Sequence, residues 1–557
     1  MAPMLDLHGN RSPAAAPGAV SREAVPVPRR GRRAWYALWL AAFMGFAVLH
    51  CMHLRADFPN HSPWFMDWAK YTDEGWYGDA AVRAHLFGHW YLPGDFNPAV
   101  AVPVWPFLEW VLFFFTGVTP EAARGLAVAV FFLNLVLSYM LLRARGPRWM
   151  ALLGVTLMAT SPFLYCFSRL AILEPLLTAF LLATLNLAVR LPGMRRPVRG
   201  AVGVGLLFTL AMLTKTTAIF LLPAIGWAML AALWSTRKRA FLCALAAGST
   251  FFAGYGLWIA LLVRLGLLGD YKYYFFVNNY PRPKEIYWPM VSLWWSFHGG
   301  LWIDKVLVPV AGLIVLAALV FRRDAWARRL LLDPVFGASV WAIAGCILFM
   351  TYQNHPQPRY FAVAAVFCFL LVALGAEAMM RADGPRRVSS IPMQKLGWVT
   401  IGLSALAACL GGARTVNYAF HPEYTFVNAA EGITHYIDTH PNGKRLLVSI
   451  SGDDITLITH LPTICDDFGT TDLPEKLGIY QPGWYAAWND FDPGTLEDLH
   501  THYSIEQVAG FPAFDDPQRN LLVLFKLHPL RGGQVRDPQE QDLRNPLPDD
   551  SFDMPMQ

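Results

Sequence analysis

From Ala34 onward the chain alternates long apolar runs with short polar stretches. Most runs have about 17–25 residues, the length a helix needs to cross the hydrocarbon core of a bilayer. The pattern predicts spans at 34–53, 121–142, 149–167, 172–190, 199–215, 217–234, 240–264, 301–321, 334–352, 360–380 and 396–414. Basic residues cluster between them: RRGRR (29–33), RARGPR (143–148), RLPGMRRPVR (190–199), RKR (237–239), FRRDAWARR (321–329) and RADGPRR (381–387). Placing all of these clusters inside fixes one orientation. The N-terminus is then inside, and everything after the eleventh span is outside. The run Ala34–Met52 is too long and too aromatic for a signal-peptide core and lacks a small-residue cleavage site, so it reads as a retained span. One segment resists, AVPVWPFLEWVLFFFTG (101–117). If it crossed, every later basic cluster would turn outward, and it carries Pro103, Pro106 and Glu109. It is expected to lie on the outer surface as an interfacial helix.

After the last span the pattern changes. EGITHYIDTH, DITLITHL and LEDLHTHY have helical character, and KRLLVSIS, YSIEQVAGF and NLLVLFKL have strand character. The chain is therefore read as mainly α: a polytopic helical bundle of about 11 spans, followed by a small extracytoplasmic α/β domain. Residues 1–33 form a basic tail, expected to be disordered on the inner side. Residues 34–415 form the membrane domain, with a first outer loop at 54–120. Residues 416–530 form the α/β domain, and 531–557, rich in Pro, Asp and Gln, form a second disordered tail.

Composition agrees. Of 557 residues, 55% are hydrophobic and only 15% charged, with a mean hydropathy of +0.35; soluble domains carry roughly a quarter charged residues. Charge is divided along the chain. From Val416 onward there are 8 basic and 22 acidic residues, a net of −14, against +19 for residues 1–415. The basic excess sits in loops between spans and sets orientation, so nucleic acid is not an expected partner. The seven cysteines follow no disulfide or zinc spacing.

The polar residues that orientation does not explain all fall on the outer side. TDEGWYGD (72–79) lies in the first outer loop, and SRLAILEP (168–175), LTKTT (213–217) and NHPQPRY (354–360) form outer turns. Each of these turns brings one cation: Arg169, Lys215 and Arg359. The span centres hold almost no ionisable residues, whereas ion-coupled transporters place them there. A site for a lipid headgroup is expected at the outer water line. Asp73, Glu74 and Glu174 are its candidate acids. Tyr77 shares a helical face with Asp73, and Tyr360 adjoins Arg359. Plainer roles compete: Asp73 and Glu74 as helix-start acids, Glu174 beside Pro175 as another, Lys215 as a snorkelling span end, and Arg359 as an interface anchor. His85 and His89 stand i, i+4 but show no third metal ligand. The stretch 271–302 has twelve aromatics in 32 residues, which suits an interfacial belt or a substrate-contact loop.

Four stretches carry a family resemblance: DEGWYGDAA, FSRLAILEPLLTAF, AMLTKTTAIFLLP and PRYFAVAA. In order and spacing the set resembles the GT-C class of integral membrane glycosyltransferases, and within it family 39, which includes protein O-mannosyltransferases and lipid A aminoarabinose transferases. The likeness covers roughly residues 34–380. It implies a polyprenyl-phosphate-sugar donor, transfer outside the inner (plasma) membrane, and a lipid, glycan or protein acceptor, among membrane lipids. It also implies that Asp73 is the catalytic acid of the first loop, with Glu74 beside it. Glu174 stands where relatives have Asp. Arg169, Lys215 and Arg359, with Tyr77 and Tyr360, are then the substrate-binding candidates. No metal ligand is assigned and no cofactor is implied with certainty, although a divalent metal stays open. The competing functions are a lipid or sugar flippase, which would work without Asp73, and a non-catalytic relative whose outer domain binds a partner.

Overall fold

The computed structural model describes residues 29–57, 67–278, 287–295, 306–353, 357–382, 387–388, 391–489, 493–514 and 519–530. The two expected tails, apart from the start of the first helix, and parts of the aromatic stretch lie outside these residues. Two compact units are present, Met1–Gly45 and Phe46–Gln557. The described part of the first is helical, within α1 (Arg29–Cys51).

Past the end of α1, the second unit does not continue directly with spans. α2 (Asp73–Phe87) is a buried helix, and α3 (Val104–Thr116) is the apolar segment that resisted assignment. At 1.5 Å per residue the 13 residues of α3 reach only about 20 Å, short of a roughly 30 Å hydrocarbon core. Helices then recur where spans are expected: α4 (Pro120–Arg143), α5 (Arg148–Thr160) continued by α6 (Pro162–Phe167), α7 (Glu174–Ala188) and α8 (Pro197–Thr214). A 3-10 turn, Thr216–Leu221, leads into α9 (Leu222–Ala232), and next comes α10 (Arg237–Leu265). After the short α11 (Leu268–Lys272) and α12 (Trp288–Trp295) come α13 (Leu307–Val320), α14 (Ala325–Leu331), α15 (Pro334–Tyr352), α16 (Phe361–Met380) and α17 (Met393–Phe420). Among the described residues, seven helices are long and apolar enough to cross a membrane, and five apolar helices are shorter.

Local chemistry sets the starts. Thr119 caps α4 by accepting from the Ala122 amide at 3.1 Å, and Asp333 caps α15 through the Val335 and Phe336 amides. Proline opens several of these helices, where its missing N–H costs nothing. α16 is apolar on all sides and is buried along nearly its whole length, packed on α5, α13, α15 and α17.

The C-terminal layer begins with α18 (Thr425–Thr439). Its five-stranded sheet uses short strands at Leu447–Val448, Thr463–Ile464 and Trp484–Trp488, then a long hairpin, Tyr503–Pro512 and Leu521–Pro529. The first three are parallel, with Leu447–Val448 in the middle; Leu521–Pro529 pairs antiparallel with both Trp484–Trp488 and Tyr503–Pro512. Three helices accompany it: α19 (Gly452–Thr459), α20 (Leu473–Tyr480) and α21 (Pro493–His500). The first two strands are joined through α19, a short crossover that lies directly against α2. α20 and the buried strand Trp484–Trp488 were not legible in the residue pattern.

Candidate active site

Four charged residues from distant turns meet where helices end. Asp73 opens α2, Glu174 opens α7, Lys215 comes directly after the last residue of α8, and Arg359 lies in a 3-10 turn, Pro358–Tyr360, before α16. All four are buried, at 1–6% exposure. Three helix N-termini thus converge on one place, which favours negative charge there.

The pairing is alternating. Lys215 Nζ donates to Glu174 Oε1 at 2.6 Å. Arg359 Nη1 donates to Asp67 Oδ1 at 2.5 Å, and the Arg359 amide donates to Asp67 Oδ2 at 2.9 Å. Arg359 Nη2 lies 2.6 Å from Asp73 Oδ2, an ion pair without the alignment of a hydrogen bond. Arg359 Nε, 3.9 Å from Glu174 Oε1, has no hydrogen-bond partner among the described residues. Burial raises the Asp73 carboxyl to about 6, against the opposing pull of Arg359. Asp73 follows the N-cap position, held by Thr72, and makes no side-chain cap bond there.

Aromatic rings enclose the cluster. Lys215 Nζ stands 4.5 Å from the Tyr360 ring and 5.8 Å from the Tyr77 ring, and Arg359 stands 4.9 Å from Tyr360. Tyr274, from the described start of the aromatic stretch, is buried beside them and stacks on Phe96 at 6.0 Å, while Phe276 and Val277 are exposed. An apolar crevice lies beside it, between α7, the 3-10 turn Thr216–Leu221, α15 and the start of α16. Glu174, Lys215 and Tyr360 stand at its head, and Leu177, Phe220 and Phe349 form its walls.

Two expected residues lie apart from this cluster. Glu74 points the other way: both its oxygens hold Arg124, at 2.8 and 2.6 Å, and it accepts from the Ala171 amide at 2.8 Å. It ties α2 to α4 and to the turn before α7. Arg169 lies over the Tyr165 ring, donates to the Tyr165 hydroxyl and to the Met52 carbonyl, and reaches the His53 carbonyl at 2.9 Å. His85 bonds the Trp110 carbonyl at 2.9 Å. No group of three His, Cys, Asp or Glu side chains among the described residues is arranged for a metal ion.

Some participants carry no signal in the residue pattern. Asp67 stands outside the TDEGWYGD stretch. Arg83 lies within α2 but gathers Asp79 at 2.7 Å, Asp95 at 3.0 Å and Asp453 at 3.1 Å, with Lys476 reaching Asp95 at 3.3 Å. Burial pushes the Asp79 carboxyl well up and that of Asp453 to about 6, against the opposing pull of Arg83. Cys465 is buried beside it, donating its amide to Asp95 at 3.1 Å.

Residues 98–258 match the family model described as dolichyl-phosphate-mannose-protein mannosyltransferase. The segment includes Glu174, Arg169 and Lys215, with Asp73 and Arg359 beyond its two ends. Among solved structures, the chain is similar to ArnT from Cupriavidus metallidurans. The apo form matches with a TM-score of 0.57 and the form bound to undecaprenyl phosphate with 0.55, both at 13% identity. These alignments cover 89% and 88% of this chain and 98% of each ArnT chain. An oligosaccharyltransferase from Archaeoglobus fulgidus matches more loosely, with a TM-score of 0.46 at 13% identity over 87% of this chain and 74% of its own. No curated protein matches the chain in sequence. The chain has the fold of the GT-C superfamily of membrane glycosyltransferases, the class its motifs resemble.

Proposed function

We propose that the protein transfers a sugar from a polyprenyl-phosphate donor to an acceptor hydroxyl on the extracytoplasmic face of the inner membrane. The observation that carries this reading is the buried cluster of Asp73, Glu174, Lys215 and Arg359 at the head of an apolar crevice between spans. The apolar lining of the crevice has the chemistry of an isoprenoid contact, and Lys215, with Arg359 beside it and the helix N-termini, suits a phosphate. The ArnT structure with undecaprenyl phosphate supports the same donor class here.

In this mechanism the acceptor oxygen attacks the anomeric carbon while its proton passes to Asp73. The bond from that carbon to the phosphate oxygen breaks, and polyprenyl phosphate leaves. A single displacement of this kind inverts the anomeric centre. Lys215 and Arg359 balance the charge that develops on the departing phosphate, and a phosphate is a good enough leaving group to need no separate acid. Binding requires Lys215 to share its charge between Glu174 and the phosphate. Arg359 has a fork of donors: it can keep Asp67 through one edge and offer Nε to the phosphate. Glu174 holds Lys215 in place, and Tyr77 and Tyr360 shape the sugar subsite. Glu74 supports α2 through Arg124.

The orientation rests on the basic clusters. Those at 143–148, 190–199, 237–239, 321–329 and 381–387 adjoin the helix ends opposite to the site. With those clusters inside, the site faces out.

Transfer in proteoliposomes tests the reading. Asp73→Asn should lower the rate by roughly 10²–10⁴-fold with normal membrane insertion. Transfer at the parental rate by Asp73→Asn would refute the base assignment.

A further inference from the structure

The start of α2 is held from outside the membrane bundle. Its first four amides need partners, and a side chain at the residue before the helix ordinarily supplies one. Thr72 occupies that position but makes no capping bond. Its hydroxyl instead donates to Asp73 Oδ1 at 3.2 Å. The missing acceptor comes from 379 residues away: Asp454, in the first turn of α19, accepts the Gly75 amide. Gly75 is the third residue of the helix, the place a local cap would reach.

The approach demands glycine. A Cβ at Gly75 would collide with the backbone of Asp453 and Asp454. Glycine near a helix start otherwise costs stability relative to alanine. The flanking residues are seated on the same layer. Tyr71 packs on Trp488 at 5.1 Å, and its hydroxyl accepts from Arg519. Trp76 meets Phe468 edge-on at 5.0 Å, and Arg83 reaches Asp453 at 3.1 Å.

We infer that Asp454 is a positioning residue for the transfer reaction: by capping Gly75 from the C-terminal layer, it sets where α2 begins and so where the Asp73 carboxylate points. The C-terminal α/β layer is thereby part of the active site without touching the reacting atoms. The inference rests on the general-base role proposed for Asp73. Burial raises the Asp454 carboxyl well above its ordinary range.

Two measurements on the full-length protein in lipid decide this. The first is steady-state transfer from a polyprenyl-phosphate sugar. Asp454→Ala should lower kcat about 10–100-fold with little change in donor KM, the loss expected when a buried amide loses its partner at a site that positions the base. Asp454→Asn keeps an acceptor oxygen and should recover most of that loss. Asp454→Glu, with one more methylene, should not, and it serves if the alanine variant fails to fold. Parental kcat in Asp454→Ala and Asp454→Glu, or equal loss in Asp454→Asn, would overturn the inference. The second is hydrogen exchange at residues 73–77, which reads the clamp without any sugar. Protection should fall in Asp454→Ala and persist in Asp454→Asn, and unchanged protection in Asp454→Ala would overturn the inference. Failure of the parental protein to transfer would count against the proposed function, while exchange would still decide the clamp.

Discussion

Adjacent residues in a helix point about 100° apart, and this separates the roles of Asp73 and Glu74. Asp73 faces Arg359, whereas Glu74 is consumed by Arg124 and the Ala171 amide. Because burial holds the Asp73 carboxyl near 6, transfer should rise through about that pH and fall tenfold per unit below it, as the base is lost to protonation. A pH profile with its acid limb near the ordinary carboxylate value of about 4 would place the base elsewhere. Arg359 carries two acids at once, so it cannot be removed cleanly. Arg359→Met should destabilise the protein by roughly 3–5 kcal/mol in thermal unfolding, because Asp67 and Asp73 would be left buried together. An unchanged unfolding temperature would mean that water reaches those carboxylates. Asp73, Glu174, Lys215 and Arg359 were legible because each interrupts apolar sequence at a turn that orientation does not explain. Asp67, Arg124 and Asp454 were not, because their meaning lies in partners 292, 50 and 379 residues away. Arg169 has the same sequence signature as Lys215 and Arg359, yet it binds backbone carbonyls at the end of the first span. A pattern locates a cation at a turn but not the direction in which it points.

The spans were legible as elements because lipid imposes their length and leaves no alternative for the backbone. Breaks within them were less so: Ser161 and Pro162 divide one expected span into α5 and α6, where Ser161 begins a new cap. The C-terminal layer was harder. Two of its strands have only two residues, too few for any periodicity, and the strand Trp484–Trp488 is buried on both faces, so it does not alternate. The buried network around Arg83 joins α2 to α19 through Asp453. Arg83→Met should cost roughly 3–5 kcal/mol of stability, since Asp79, Asp95 and Asp453 would lose their shared cation. Denaturant unfolding checks this, and a loss below about 1 kcal/mol would show the network to be solvated like a surface pair.

At the scale of the whole molecule, the proposed chemistry needs one orientation. Cys465 is buried and cannot report it, but Glu475 and Ala325 are exposed, and the proposed orientation puts them on opposite sides of the membrane. In a background lacking Cys51 and Cys409, Glu475→Cys should react with an impermeant thiol reagent on intact cells, and Ala325→Cys only after the membrane is opened. The reverse pattern would invert the topology. Orientation in turn limits the donor. In the proposed orientation a nucleotide sugar, made inside, would not reach the site, whereas a polyprenyl-phosphate donor would present its phosphate to Lys215 and Arg359 from within the membrane. The most direct measurement offers purified protein in lipid either a radiolabelled polyprenyl-monophosphate sugar or the matching nucleotide sugar. Transfer is predicted from the lipid donor alone, with donor use weakened in Lys215→Ala. Transfer directly from the nucleotide sugar, or undiminished use of the lipid donor by Lys215→Ala, would contradict the proposed function.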